Sequence, residues 1–281
     1  MTNTMTKYLS TYLITVFISA ISFGQSNIKS DSLQFVDLKG KKQYYVNKGD
    51  GNPVVVFVSG LGPTMDDFFE IQNKISKTTQ TFCYDRAGVG KSESFNNDRS
   101  LENISSELKE LLEKVEISKP FVLVGHSRGG LIARFFANKY PDKICGLILI
   151  DPALPEHRSM KRALRTDKEK VEFDAFYNSF CTDSVKYSTT IRSEFKAADS
   201  TSISGKNFPT SIPITILASN KITKDKYSKA DTKIKVDLLN DYLKTAPQIK
   251  LILTNKSGHF IHEDEPKLVV KEILLMINKL K

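Results

Sequence analysis

Six short apolar runs recur along the chain: PVVVFVSG (53–60), TFCYD (81–85), PFVLVG (120–125), GLILID (146–151), PITILAS (213–219) and IKLILT (249–254). Short apolar runs bounded by proline, glycine or aspartate are the pattern of strands covered on both faces. Before the first run, LQFVDLKGKKQYYVNKGDG alternates around Lys39-Gly40 and predicts a hairpin. Between the runs the period becomes helical. SLENISSELKELLEKV (100–115) places Ile104, Leu108, Leu111, Leu112 and Val115 on one face behind a Ser-x-x-Asn start. PKLVVKEILLMINKL (266–280) opens with proline in its first turn and predicts a closing helix. This alternation predicts an α/β protein with a mostly parallel, doubly wound, eight-stranded sheet flanked by helices.

One connection is too long for that rhythm. From Pro152 to Thr210 the sequence is charged and helical, with no strand signal. Within it Phe173, Phe176, Tyr177 and Phe180 recur at helical spacing as an aromatic stripe. An insertion of this length is a covering subdomain or a loop, and the stripe favours a helical lid between strands 6 and 7. It also suggests a pocket for an apolar acyl group. The expected organisation is a core of residues 25–151 and 211–281, interrupted by the lid at 152–210.

Composition changes this picture little. At 281 residues, 40% hydrophobic and 26% charged, the chain is ordinary for a globular protein. The formal net charge of +9 is spread over many lysines. With no dense basic block, it reads as a solvated surface, not a nucleic-acid interface. The first 24 residues differ: Lys7, then an apolar run from Tyr8 to Phe23, then small residues, in the order of a secretory signal peptide. The run is short for a membrane span. Export is the expectation, with an uncleaved anchor as the alternative. Cys83, Cys145 and Cys181 are far apart and outside any metal-binding spacing, so free thiols and no cofactor or metal are expected.

Candidate chemistry centres on GHSRGG (125–130), between an apolar strand and an apolar helix. Gly125 and Gly129 flank Ser127 as G-x-S-x-G, which permits a sharp turn that lifts the hydroxyl off the sheet. The N–H groups of the helix starting at Arg128 would lie beside it, suited to an oxyanion. In an open parallel sheet this strand end is where ligands collect. A serine hydroxyl needs a base. His259 follows the last strand and reaches the same edge, while His262 is the alternative. His126 sits within the turn and should point away from the hydroxyl, and His157 falls in the insertion.

VSGLG (58–62), YDRAGVGKS (84–92), GHSRGG and SGHFIHEDEP (257–266), in this order, resemble the α/β hydrolase fold superfamily over residues 35–281. The resemblance implies Ser127 as nucleophile, His259 as base, and an oxyanion hole from the backbone N–H groups of Leu61 and Arg128. It also implies a scaffold role for Asp85 and Arg86. Two positions depart from the family pattern. Ser59-Gly60 replaces the usual His-Gly, and Asn220 stands where the family usually carries its acid. Asp151, at the end of the strand after the nucleophile's helix, is the favoured acid because a strand end is rigid. Asp225, Glu156 and Asp231 remain open. The expectation is an exported serine hydrolase for a small-molecule carboxylic ester. The alternatives are amide, lactone or carbon–carbon cleavage, or a catalytically silent binding protein.

Overall fold

The computed structural model describes residues 33–199 and 208–281. The expected signal peptide at residues 1–24 lies outside them. The chain opens as a hairpin of β1 (Leu33–Leu38) and β2 (Lys41–Lys48), paired in register from Leu33↔Val46 to Leu38↔Lys41. Lys39 and Gly40 both have positive φ, 56° and 77°. Those are the values that match a two-residue turn to the twist of its strands.

The rest alternates strand and helix. β3 (Val55–Val58) leads through α1 (Phe69–Ile75) to β4 (Thr81–Tyr84). α2 (Leu101–Lys114) follows, its start capped by the Ser100 side chain, which accepts from the Asn103 N–H. β5 (Phe121–His126), α3 (Arg128–Lys139) and β6 (Ile144–Ile150) complete the first part of the core. The strand order is β1-β2-β4-β3-β5-β6-β7-β8, antiparallel over the first two pairings and parallel thereafter.

Each central strand feeds both faces with period two. Val56 and Val58 join the cluster containing Leu108, Ile132 and Phe136, whereas Val55 and Phe57 join the one containing Ile71, Ile273 and Ile277. A strand must then be apolar at every position, which is why the runs show no alternation.

Between β6 and β7 (Ile214–Ser219) lie α4 (His157–Ala163), α5 (Asp167–Thr182) and α6 (Thr189–Asp199). The aromatic stripe has a structural use here. Phe180 stacks on Phe195 of α6 at 4.7 Å and on Tyr187 at 4.8 Å, and the Arg158 guanidinium lies 4.4 Å from the Tyr177 ring centre. Phe180 is therefore buried inside the insertion, with Phe173, Phe176 and Tyr177 half-buried along the same stripe.

α7 (Ser228–Thr245) follows β7, in a stretch for which the sequence pattern predicts no helix. It buries only Leu239 and Tyr242 fully, too narrow a stripe to announce a helix. β8 (Ile249–Thr254), the short α8 (Ile261–Asp264) and α9 (Pro266–Leu280) close the chain. Among the described residues, no helix is long and apolar enough to cross a membrane.

Candidate active site

Ser127 occupies the turn between β5 and α3 with φ 51° and ψ −118°, a backbone state costly for any residue with a side chain. It is the one residue from Phe121 to Gly130 that is not buried. Close packing forces the flanking glycines. A Cβ on Gly125 would lie 2.4 Å from the Gly129 carbonyl oxygen, and one on Gly129 would lie 2.1 Å from that of Val58. The Ser127 N–H donates to Ile150 O, and Ser127 O accepts from Ala153 N, so the turn is pinned to the end of β6.

Asp151 follows directly, at φ 37°. Its N–H donates to Leu217 O at 2.7 Å, which sets the carboxylate over the ends of β6 and β7. Oδ1 accepts from the Ser219 N–H at 2.9 Å and from Lys235 Nζ at 3.0 Å. Oδ2 accepts from His259 Nδ1 at 2.7 Å. Burial alone would raise the Asp151 pKa, but the His259 hydrogen bond, the Lys235 charge and the Ser219 N–H outweigh it and hold the carboxyl down at about 2.

The other acids lie elsewhere. Asp225 is exposed and caps its own turn, accepting from the Tyr227 N–H. Asp231 pairs with Arg165 and Lys161, and Glu156 accepts from the Tyr242 hydroxyl.

His259 sits on a loop held at several points. Ser219 Oγ donates to Ser257 O, Ser257 Oγ donates to Glu265, and the His126 ring donates through Nε2 to His259 O at 3.0 Å. Because a carbonyl only accepts, that His126 nitrogen carries the proton. Burial, then the neighbouring histidines, push the His126 pKa well below its ordinary value. The imidazole stays neutral and serves as a strut. His126 thus joins the serine turn to the His259 loop, and the His259 side chain keeps 37% of its surface exposed.

His262, the other candidate base, is buried with Nε2 3.2 Å from Asp67 Oδ2. His157 is half-buried and donates to Asp231 O. Among the described residues one group has metal-ligand chemistry: Asp67, His126 and His262, with donor atoms within 4.8 Å of one another. The His126 nitrogen turned toward this group is Nδ1, 3.9 Å from Asp67 Oδ2, on the opposite side of the ring from the Nε2 that donates to the His259 carbonyl.

Facing the serine turn is the loop after β3. A Cβ on Gly60 would lie 3.5 Å from Ser127 Cβ, so the Gly60 backbone passes directly beside the serine. Ser59, in the place of the expected histidine, donates through Oγ to Thr64 O and closes the loop on itself. Arg86 donates to Ser59 O at 2.7 Å and Gly60 O at 2.8 Å. Asp85 accepts from the N–H groups of Met65 and Lys91, so both residues act as scaffold. Sequence reasoning missed Lys235 and Glu194, the latter being the acid that pairs with Arg86. Neither belongs to a motif, and no local pattern distinguishes them from surface charge.

A family model described as alpha/beta hydrolase fold matches residues 53–178. The uncharacterized protein YbdG of Bacillus subtilis (strain 168) is 32% identical over 138 residues, 48% of this chain and 42% of that protein. The uncharacterized protein YqjL of the same organism is 26% identical over 233 residues, 79% of this chain and 82% of that one. The chain therefore spans less than half of YbdG but most of YqjL. Among solved structures, a thermophilic esterase from Thermogutta terrifontis superposes with a TM-score of 0.62 at 20% identity, over 88% of this chain and 99% of that one.

Proposed function

The chain belongs to the α/β hydrolase fold superfamily, and from that premise we propose that it is a serine hydrolase cleaving a small-molecule carboxylic ester or related acyl bond. The observation that carries the proposal is the 2.7 Å contact between Asp151 Oδ2 and His259 Nδ1, with Ser127 in a strained turn whose N–H donates to Ile150 O, the residue before Asp151. A carboxylate on Nδ1 fixes the imidazole tautomer, leaving Nε2 to accept a proton.

In this mechanism Ser127 Oγ attacks the acyl carbon while its proton passes to His259 Nε2. Asp151 stays ionised and stabilises the imidazolium. The developing oxyanion is received by the backbone N–H groups of Leu61 and Arg128, the first residue of α3. Collapse breaks the ester bond, and His259 returns the proton to the departing alkoxide. Water, deprotonated by the same imidazole, then releases the carboxylic acid and restores Ser127. The low pKa of Asp151 keeps it charged throughout the range in which such a base works.

A fluorophosphonate probe tests the proposal, because only an activated serine labels rapidly. The purified protein is expected to label at Ser127 near neutral pH and to turn over short acyl esters. A folded protein that does neither is a binding protein on a hydrolase scaffold.

A further inference from the structure

A carboxylate in the middle of a peripheral helix ordinarily faces water. Glu194, in α6, does not: its relative exposure is 0%. Its Oε1 accepts from Arg86 Nε and its Oε2 from Arg86 Nη2, both at 3.0 Å. The same guanidinium donates onward to Ser59 O and Gly60 O, the backbone that runs into Leu61 beside Ser127. One planar cation thus joins a residue of the insertion to the strand of chain facing the serine.

The surroundings are built for this approach. Arg99 Nη2 lies 3.9 Å from Glu194 Oε1, and the Arg99 N–H donates to Ser193 Oγ. Gly88, at φ 75°, leaves room for Thr190: a Cβ there would lie 2.1 Å from Thr190 Oγ1. Burial works against the Glu194 charge, yet Arg86, then Arg99 and Arg128, hold its pKa below the ordinary carboxylate range. The carboxylate is therefore the counter-ion that ties the loop after β3, through Arg86, to the insertion.

We propose that Glu194 is a positioning residue for the oxyanion hole, the insertion setting the Ser59–Gly60–Leu61 backbone through Arg86. The inference rests on the serine-hydrolase proposal for what that backbone does. Oxyanion donors act only when held within tenths of an ångström of the developing charge, and a misplacement of 1 Å costs about a hundredfold. Without its counter-ion, Arg86 would no longer be held in the plane that bridges both carbonyls.

The test compares Glu194→Gln with Glu194→Asp, and with Lys196→Ala on the exposed side of the same helix. For a short acyl ester, Glu194→Gln is expected to lower kcat about tenfold to a hundredfold with KM changed less than about threefold. It should weaken a trifluoromethyl ketone, which forms a tetrahedral adduct, in the same proportion. Glu194→Asp should recover part of the loss, and Lys196→Ala should leave both values unchanged. A folded Glu194→Gln with wild-type kcat and wild-type ketone affinity overturns the proposal. If that variant does not fold, the same two measurements on Glu194→Asp decide. If the wild-type protein hydrolyses no ester, the serine-hydrolase proposal fails separately. Amide hydrogen exchange at residues 59–62 then decides this one: faster exchange in the variant supports it, and unchanged exchange overturns it.

Discussion

The two halves of the candidate site are held by different means. The acid–base half is mounted on adjacent strand ends. Asp151 leaves β6, Ser219 closes β7, and the contacts among Asp151, Ser219 and the His259 loop run through backbone or very short side chains. The half facing it is a loop of glycines and Ser59, kept in place by Arg86, whose partner Glu194 lies 108 positions further along the chain. Strand register places Asp151 and Ser219 of the first half, with Lys235, His126 and Glu265 bracing them and the His259 loop. The second depends on an insertion docking correctly and on a buried charge pair. A buried pair is costly to assemble and far more costly to leave half-made, which makes it a strict condition on geometry. In the mechanism we propose, acid–base chemistry rests on the sheet, whereas oxyanion stabilisation is conditional on the insertion.

The largest expected effect removes what both halves share: Ser127→Ala should cost on the order of 10⁶ in turnover, by analogy with another serine hydrolase. A loss below tenfold in a folded variant, measured on a short ester, would remove Ser127 from the chemistry. Next is Asp151→Asn, which keeps the shape but not the tautomer control. It should lower kcat about 10⁴-fold, with slower fluorophosphonate labelling to match. Were Asp225→Asn to show that loss instead, the acid–base half would be wrongly assigned.

Gly88→Ala sharpens the contrast from the insertion's side. It adds strain at positive φ and a contact with Thr190, and should cost about 2 kcal/mol. A fall in Tm of roughly 4–8 °C is the readout, and an unchanged Tm would contradict the docking of α6 on that turn.

The smallest effect concerns Lys235 beside Asp151. Lys235→Met should lower stability near neutral pH by ~1 kcal/mol, since the pair is largely but not wholly shielded. The Asp151 pKa is lowered from 3.8 to about 2, so the pair's contribution is complete above the ordinary value and lost as pH falls through the depressed one. The gap between variant and wild type should close as pH drops from about 4 to about 2. A gap that persists at pH 2 would mean Lys235 stabilises by packing instead.

Much of the scaffold was legible. The six apolar runs became β3 to β8, Lys39-Gly40 made its hairpin turn, and the helices at 101–114 and 266–280 began at the serine cap and at the proline. α7 goes unannounced because its buried stripe is narrow amid lysines, and the aromatic stripe marks a helix of the insertion without naming what it packs against, because periodicity reports burial and not the neighbour. In the site, GHSRGG announced its turn through glycines that tolerate no Cβ. Asp151 is favoured in the sequence for its rigid strand end, but Asp225, Asp231 and Glu156 stay open there, since ionised carboxylates look alike in one dimension. It took the pairing of β6 with β7 and β8 to bring Asp151 to His259.

Sequence alone determined what local physics dictates: which segments are buried on two faces, where helices start, and where the chain must turn sharply around an accessible serine. Only the tertiary structure decided which charges meet. Glu194 with Arg86 and Lys235 with Asp151 are separated by 108 and 84 positions, and their contact follows from strand register and helix docking. A charge pair leaves no periodic trace in the chain, because its energy depends on distance in space and on exclusion from water.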